Sequence, residues 1–486
     1  MTSSAGAPTA GRLLAALAVG LAFVIWHAVD LSVYPMVTDD EVVLNEPART
    51  LAENGSFDSP LLTPDHLPTP LIVQPPLQAI AVAAVYKVMG FGLWQTRFAS
   101  VLWGAIAIAM LSLVAQTFFP ATHAGAVAVL LLFVNPSFSI TARVGRMDTL
   151  CLAFILAAYY SYLSARGEPS ARASFVFAGI FIALACLTHP VAISALIGFT
   201  LLVTTFAFGR SRASALVLFT VGGLLVAAAW GIVIVRGGPH YLADLIRHGS
   251  VRSVSGPLLT RVVAECVRWF TEIREMPLLF ACYFAGVAWR NVWPSERRIA
   301  SELLLLAVVA FAFDALFMSK SSGYYPLYAQ LFLTMLAAGS IAGAIQRGGR
   351  HRHAALVLLG LLAMTSVPLL VLPRVVAATV QHQARDYSPI REQLQATVPV
   401  GSTVWSVPEG WYGLAEGRSV RTPSLDYDPA PNARVDEFAI VSASDPLSDS
   451  AFAETRRIGR EIPAWHGRTF ATTDYRLIVY RSRLLR

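Results

Sequence analysis

The stretch RLLAALAVGLAFVIWHAVDLSVYPMVTDDE, residues 12–41, decides how the rest of the chain is read. Residues 12–30 are almost wholly apolar, and a helix of about 20 such residues crosses the hydrocarbon of a bilayer. Arg12 stands before the run and three carboxylates, Asp39-Asp40-Glu41, stand shortly after it. The run reads as a first span, not a cleaved leader: it is long, and no small-residue cleavage site follows it.

Working outward, the same pattern recurs. The 486 residues are 55% hydrophobic and 14% charged, with net charge +7 and mean hydropathy +0.58. A soluble domain carries about 25% charged residues, so the bilayer is the expected solvent for most of this chain. About eleven spans are expected, near residues 12–30, 98–118, 122–140, 148–165, 174–190, 191–208, 214–235, 276–289, 301–318, 325–345 and 354–373. The arginines fall in short loops: Arg12, then Arg166 and Arg172, Arg210 and Arg212, Arg290, Arg297 and Arg298, and Arg347, Arg350 and Arg352. With this count they share one side, which the positive-inside rule makes cytoplasmic. The basic balance is therefore topological, and no nucleic-acid partner is expected. Cys151, Cys186, Cys266 and Cys282 form no CxxC pair, which argues against a disulfide framework or zinc ribbon.

Three large pieces then lie outside the cytoplasm: residues 31–97, residues 236–275, and the tail from 385. Within the first, residues 41–53 and 76–90 read as short interfacial helices, one stopped at Asn54-Gly55 and the other opened by Pro75-Pro76. The tail reads as a small α/β domain over 385–486, following a membrane module over 1–384, with a helix near 390–396 and strands near 437–442 and 475–480. There is no G-x-x-x-x-G-K-[ST] loop and no H-E-x-x-H helix.

The chemistry-bearing residues collect on the outer side. Asp40 and Glu41 head the first interfacial helix. One carboxylate there can act as a general base, and several can hold a hard cation; the plain alternative is helix capping. Asp148 opens the fourth span behind Arg143 and Arg146, with capping and snorkelling as the alternative. Lys320, Tyr324 and Tyr325 lie at another outer mouth, where a lysine can hold a phosphate as a point charge. Asp314 lies inside a span, which marks it as a functional candidate. His189 and His248, the latter near Arg252, complete the set.

Taken in order, Asp40-Glu41 with Glu46 and Gly55-Ser56-Phe57, Gln74-Pro75-Pro76-Leu77, Gly90 and Arg97, Asp148, Leu187-Thr188-His189-Pro190, and 320–327 resemble the GT-C glycosyltransferases. The likeness is to the protein O-mannosyltransferase and lipid A aminoarabinose transferase group, and it runs over nearly the whole chain. It implies a polytopic GT-C fold and a polyprenyl-phosphate monosaccharide as donor. It further implies transfer at the outer face of a bacterial inner membrane, usually with inversion. Asp40 matches the essential acid of the first loop, Asp148 a second functional acid, Lys320 a donor-phosphate contact, and His248 a histidine of the loop after span seven. Gln74 stands where relatives carry His or Lys, and Val73 where aminoarabinose transferases place a metal-holding acid. These departures bear on the metal, for which Asp40, Asp148 and His248 are the candidates; no other cofactor is called for.

The expected roles follow. Asp40 takes the proton of an acceptor hydroxyl, with Glu41 orienting it or sharing the proton. Asp148 holds acceptor or sugar. Lys320, Arg143, Arg146, Arg252 and His189 face the departing phosphate. Tyr324, Tyr325, His248 and Gln74 contact substrate. The acceptor is an envelope lipid, polysaccharide or protein. The competing class is a lipid or sugar transporter, which predicts paired broken helices in two related halves; the sequence shows no such repeat.

Overall fold

The computed structural model describes residues 10–57, 59, 61, 75–119, 123–167, 172–206, 212–237, 257–271, 297–318, 325–422, 431–466 and 474–485. In chain order its helices begin with α1 (Ala10–His27), α2 (Asp39–Asn54), α3 (Leu77–Met89), α4 (Leu93–Phe118), α5 (Ala124–Phe133) and α6 (Pro136–Thr141). Next come α7 (Asp148–Gly167), α8 (Arg172–Cys186), α9 (Ile193–Phe206), α10 (Arg212–Gly237), α11 (Leu258–Thr271) and α12 (Arg297–Phe317). The last are α13 (Leu327–Arg347), α14 (Gly349–Ser366), α15 (Leu372–Ala378), α16 (His382–Arg385), α17 (Tyr387–Thr397) and α18 (Trp411–Leu414).

Among the described residues, seven helices are long and apolar enough to cross a membrane: α1, α4, α7, α10, α12, α13 and the continuous run Gly349–Ala378. Shorter apolar helices stand at the expected spans near 122–140, 174–190 and 191–208. The expected span at 276–289 lies outside the described residues. The span expected at 122–140 is broken. Asn135 Oδ1 accepts the Phe138 N–H at 2.9 Å and Pro136 opens α6, so the chain restarts as a second, capped helix. Helices α8 and α10 touch backbone to backbone. A Cβ at Gly179 would overlap the Phe219 carbonyl, and one at Gly222 the Val176 carbonyl, the small-residue contact that lets membrane helices approach closely.

The two short helices of the first loop form as read. Thr38 Oγ1 accepts the Glu41 N–H at 3.3 Å to cap α2. Gly55, at φ +76°, closes it by donating to Leu51 O, a left-handed stop that glycine adopts without strain. Because Thr38 fills the capping role, the capping alternative for Asp40 does not describe this helix.

Among the described residues the tail holds five strands: β1 (Thr403–Ser406), β2 (Ser419–Arg421), β3 (Phe438–Ser442), β4 (Phe452–Ile458) and β5 (Leu477–Ser482). Their order is β2-β1-β3-β5-β4, parallel at β1–β2 and β1–β3 and antiparallel at β3–β5 and β4–β5. Alternate residues serve opposite faces. Phe438, Ile440 and Val479 join Tyr387, Ile390 and Leu394 of α17, whereas Ala439, Val441 and Ile478 pack with Trp405 and Phe452. The first of these cores also takes in Met36, Val37, Val42 and Leu93, so the sheet domain and the first loop share one apolar interior. A hydrogen bond ties them as well: the Val37 N–H donates to Tyr475 Oη at 3.1 Å.

Glu409 is an unfavourable group in this docking. Burial, followed by the nearby Asp39 and Asp474 carboxylates, raises the Glu409 carboxyl above its ordinary range. A carboxyl raised in the folded state contributes its full stability below the unfolded value and loses it as pH climbs through the folded one. Glu409→Gln is therefore expected to melt about 2–4 °C higher than wild type at pH 7. Near pH 4 the two proteins should melt together, as thermal unfolding at both pH values would show.

Candidate active site

The acids at the two helix starts meet through one arginine. The turn at residues 142–147 carries Arg146 between α2 and α7, and its Nη1 donates to Asp40 Oδ2. Its Nε donates to Asp148 Oδ2 at 2.9 Å. The planar fork of a guanidinium suits this double contact in a way that an ammonium does not. Asp148 is fully buried. Its other oxygen accepts from Tyr328 Oη at 3.4 Å and lies 3.9 Å from His189 Nε2. Nδ1 of His189 accepts the Val191 N–H at 3.0 Å, which places the proton of the neutral ring on Nε2, toward Asp148. The rings of Tyr325 and Tyr328 lie 6.0 and 5.8 Å from that imidazole. Asp40 alone in this chain of contacts is open, with 40% of its side chain exposed.

A second layer fixes the turn that carries Arg146. Ser100 Oγ donates to Arg146 O at 3.0 Å, and Thr149 Oγ1 to Ser100 O at 3.1 Å. Asn45 Nδ2 donates to Gly145 O at 2.6 Å and to Glu41 O at 2.7 Å. The Gly145 N–H donates to Glu41 Oε1 at 3.1 Å. Gly145 has no room for a side chain, since a Cβ would overlap Thr96 Cγ2.

Glu41 departs from its expected role. Its carboxylate is fully buried and receives Arg97 Nε and Nη2, each at 2.8 Å. That is the bidentate pairing of a structural ion pair, and the group is not offered to Asp40. Arg97 Nη1 also donates to Leu31 O at 2.6 Å and Pro35 O at 2.7 Å, fastening the segment between α1 and α2. Arg143 departs similarly. It donates to the carbonyls of His27, Val29 and Tyr34 at 2.6, 2.9 and 2.9 Å, so it closes the end of α1. Asp314 lies buried in α12 with Glu265 and Arg268 of α11 as charged neighbours, on other elements than the Asp40–Asp148 cluster.

Lys320, Tyr324, Arg252, His248 and Gln74 lie outside the described residues. Among the described residues no three His, Cys, Asp or Glu side chains converge as a metal site. Asp40 and Asp148 turn instead to Arg146, whose charge stands between them.

The sequence reading did not single out Tyr328, Asn45 or Gln78 as site residues. Tyr328 stands one helical turn after Tyr325, the spacing that puts two side chains on one face, and this signal could have found it. Gln78 is buried, and neither amide atom has a hydrogen-bond partner among the described residues. Its neighbour Leu77 donates its N–H to Leu187 O at 3.1 Å, bringing the start of α3 beside Thr188-His189.

Comparison with known proteins bears on the fold. Residues 73–235 match the family described as Dolichyl-phosphate-mannose-protein mannosyltransferase, 163 of the chain's 486 residues. No curated protein matches the sequence. ArnT from Cupriavidus metallidurans, in a crystal structure bound to undecaprenyl phosphate, is similar over 97% of this chain and 98% of its own, at 17% identity and TM-score 0.63. The same protein in the apo state covers 98% of both chains at 16% identity and TM-score 0.62. The arabinofuranosyltransferase AftD from Mycobacteria is similar over 98% of this chain but 42% of its own, at 14% identity and TM-score 0.53. Agreement with ArnT along nearly the full length of both chains, spans and sheet domain together, shows that this protein is a polytopic membrane chain of the GT-C fold.

Proposed function

We propose that the protein is a glycosyltransferase that moves a monosaccharide from a polyprenyl-phosphate donor to an acceptor at the outer face of a bacterial inner membrane. The observation that carries the reading is the Asp40–Arg146–Asp148 chain, with Asp40 open to substrate. Its sidedness supports the address. Asp148 starts α7, whose far end carries Arg166; His189 follows α8, which starts at Arg172; and Tyr328 begins α13, which ends at Arg347. Acids and histidine thus share the end of the bundle opposite Arg166, Arg172 and Arg347, the non-cytoplasmic end under the positive-inside rule. The undecaprenyl phosphate in ArnT supports a polyprenyl-phosphate donor.

The chemistry follows from the groups present. The acceptor oxygen attacks the anomeric carbon, a new C–O bond forms, and the C–O bond to phosphate breaks with inversion. The electron pair leaves on the polyprenyl phosphate, and the acceptor proton passes to Asp40. Arg146 holds the Asp40 carboxylate in place and couples it to the buried Asp148. His189, Tyr325 and Tyr328 line the far side of Asp148, where a sugar hydroxyl would find donors and acceptors. Lys320 and Arg252 are the cations proposed for the leaving phosphate, whose developing charge is what the site must stabilise.

Purified protein given a panel of radiolabelled polyprenyl-phosphate monosaccharides and an envelope extract tests the reading. Label should pass from one donor into the extract. If every donor survives intact across the panel, the function proposed here is wrong.

A further inference from the structure

Helix α11 is turned inside out for a segment in water. At about 100° per residue, Leu259, Val263, Cys266 and Val267 share one side of it, and Arg261, Glu265, Arg268 and Trp269 share the other. The apolar side is the open one. Leu259, Val263 and Val267 are 75%, 52% and 54% exposed, and Cys266 is exposed with them. Thr260 and Ala264 widen that side without adding charge. The charged side is packed away. Glu265 and Arg268 are buried. Arg268 Nε donates to Glu265 Oε2 at 2.8 Å, and the Trp269 indole N–H to Glu265 Oε1 at 2.7 Å. The buried Asp314 of α12 stands beside this pair.

The helix also lies along a span. Arg261 Nη1 donates to Leu316 O at 2.8 Å, at the end of α12. Two turns on, the Trp269 ring meets Phe311 at 4.7 Å between centroids, and Trp269 joins the core of the helical bundle. Phe311 stands six residues before the last residue of the span, about 9 Å of rise inward. So α11 runs inward from the end of α12 opposite Arg297 and Arg298. Over the same depth α12 keeps Val308 and Phe317 open. A helix lying on a membrane surface turns its charges to water. One immersed in lipid turns them to protein, and α11 does the second.

We propose that the open face of α11 is seated in the acyl chains of the non-cytoplasmic leaflet, so that part of the segment 236–275 re-enters the bilayer. The proposal rests on the membrane fold and not on the transfer reaction. Single nitroxide labels at Cys266, Leu259→Cys and Val263→Cys, with every other cysteine replaced by alanine, test it. The vesicles are phosphatidylethanolamine and phosphatidylglycerol, free of polyprenyl lipid. The exposed Leu224→Cys on span α10 is the lipid reference, and the exposed Val400→Cys in the sheet domain is the water reference. Oxygen should relax the α11 labels as strongly as the label at 224. They should lose most of the relaxation that a water-soluble nickel chelate gives at 400. A phospholipid carrying a diazirine on its acyl chain asks the same of wild-type protein: adducts should fall on the peptide holding 258–271 as well as on α10. Nickel relaxation equal to that at 400 puts the face in water, and labels reached by neither reagent put it under protein. Either result, or an adduct-free α11 beside a labelled α10, overturns the proposal.

Discussion

Arg97→Met is expected to destabilise the protein by about 3–5 kcal/mol, because it strands a fully buried Glu41 carboxylate. The guanidinium also holds the carbonyls of Leu31 and Pro35, so the segment entering α2 should loosen with it. The double variant Arg97→Met/Glu41→Gln removes the uncompensated charge and keeps an oxygen for the Gly145 N–H. It should be more stable than Arg97→Met alone, with a coupling of about 1–3 kcal/mol. Denaturant or thermal unfolding in detergent of the four proteins gives that coupling directly. Strictly additive losses would mean that the pair does not act as a unit.

Arg146→Met carries the largest expected effect on activity short of removing the base. It leaves Asp40 without its holder and Asp148 buried beside Tyr328 and His189 without its guanidinium. A turnover loss of about 100- to 1,000-fold is expected, the scale for deleting one preorganised electrostatic contact. Arg146→Lys should recover only part of it, since an ammonium cannot fork between two carboxylates. Steady-state kinetics on the consumed donor decides. Turnover within twofold of wild type would remove Arg146 from the mechanism.

The helical architecture is legible in the apolar runs because lipid demands a minimum length of every span. The break inside 122–140 was also written there, in Asn135-Pro136, but a hydropathy window averages such a cap away. The strands nearest the sheet's edges were harder. β2 has three residues, and β4 exposes the run Glu454-Thr455-Arg456-Arg457, so neither shows an apolar alternation. At the candidate site, Asp40, Arg146, Asp148, His189 and Tyr325 could be proposed because ionisable and aromatic residues at helix mouths stand out from their surroundings. Glu41 misled for a geometric reason. Successive residues on a helix point about 100° apart, so neighbours in sequence do not share a face. The arginine that pairs with Glu41 lies 56 residues away, and Tyr328 lies 180 residues from Asp148; no local pattern encodes such pairings. Arg143 shows the same limit: three residues from Arg146, it turns back to the end of α1.

The central claim is that Asp40 removes a proton during sugar transfer. The most direct measurement compares wild type and Asp40→Asn in the transfer assay, with the donor that wild type consumes and at saturating acceptor extract. Asparagine keeps the size of the side chain and a contact to Arg146 but cannot take the proton. Turnover should fall by about 100- to 10,000-fold, with the protein still folded and monodisperse. Equal rates for the two proteins would contradict the account and move the catalytic centre away from the first turn of α2.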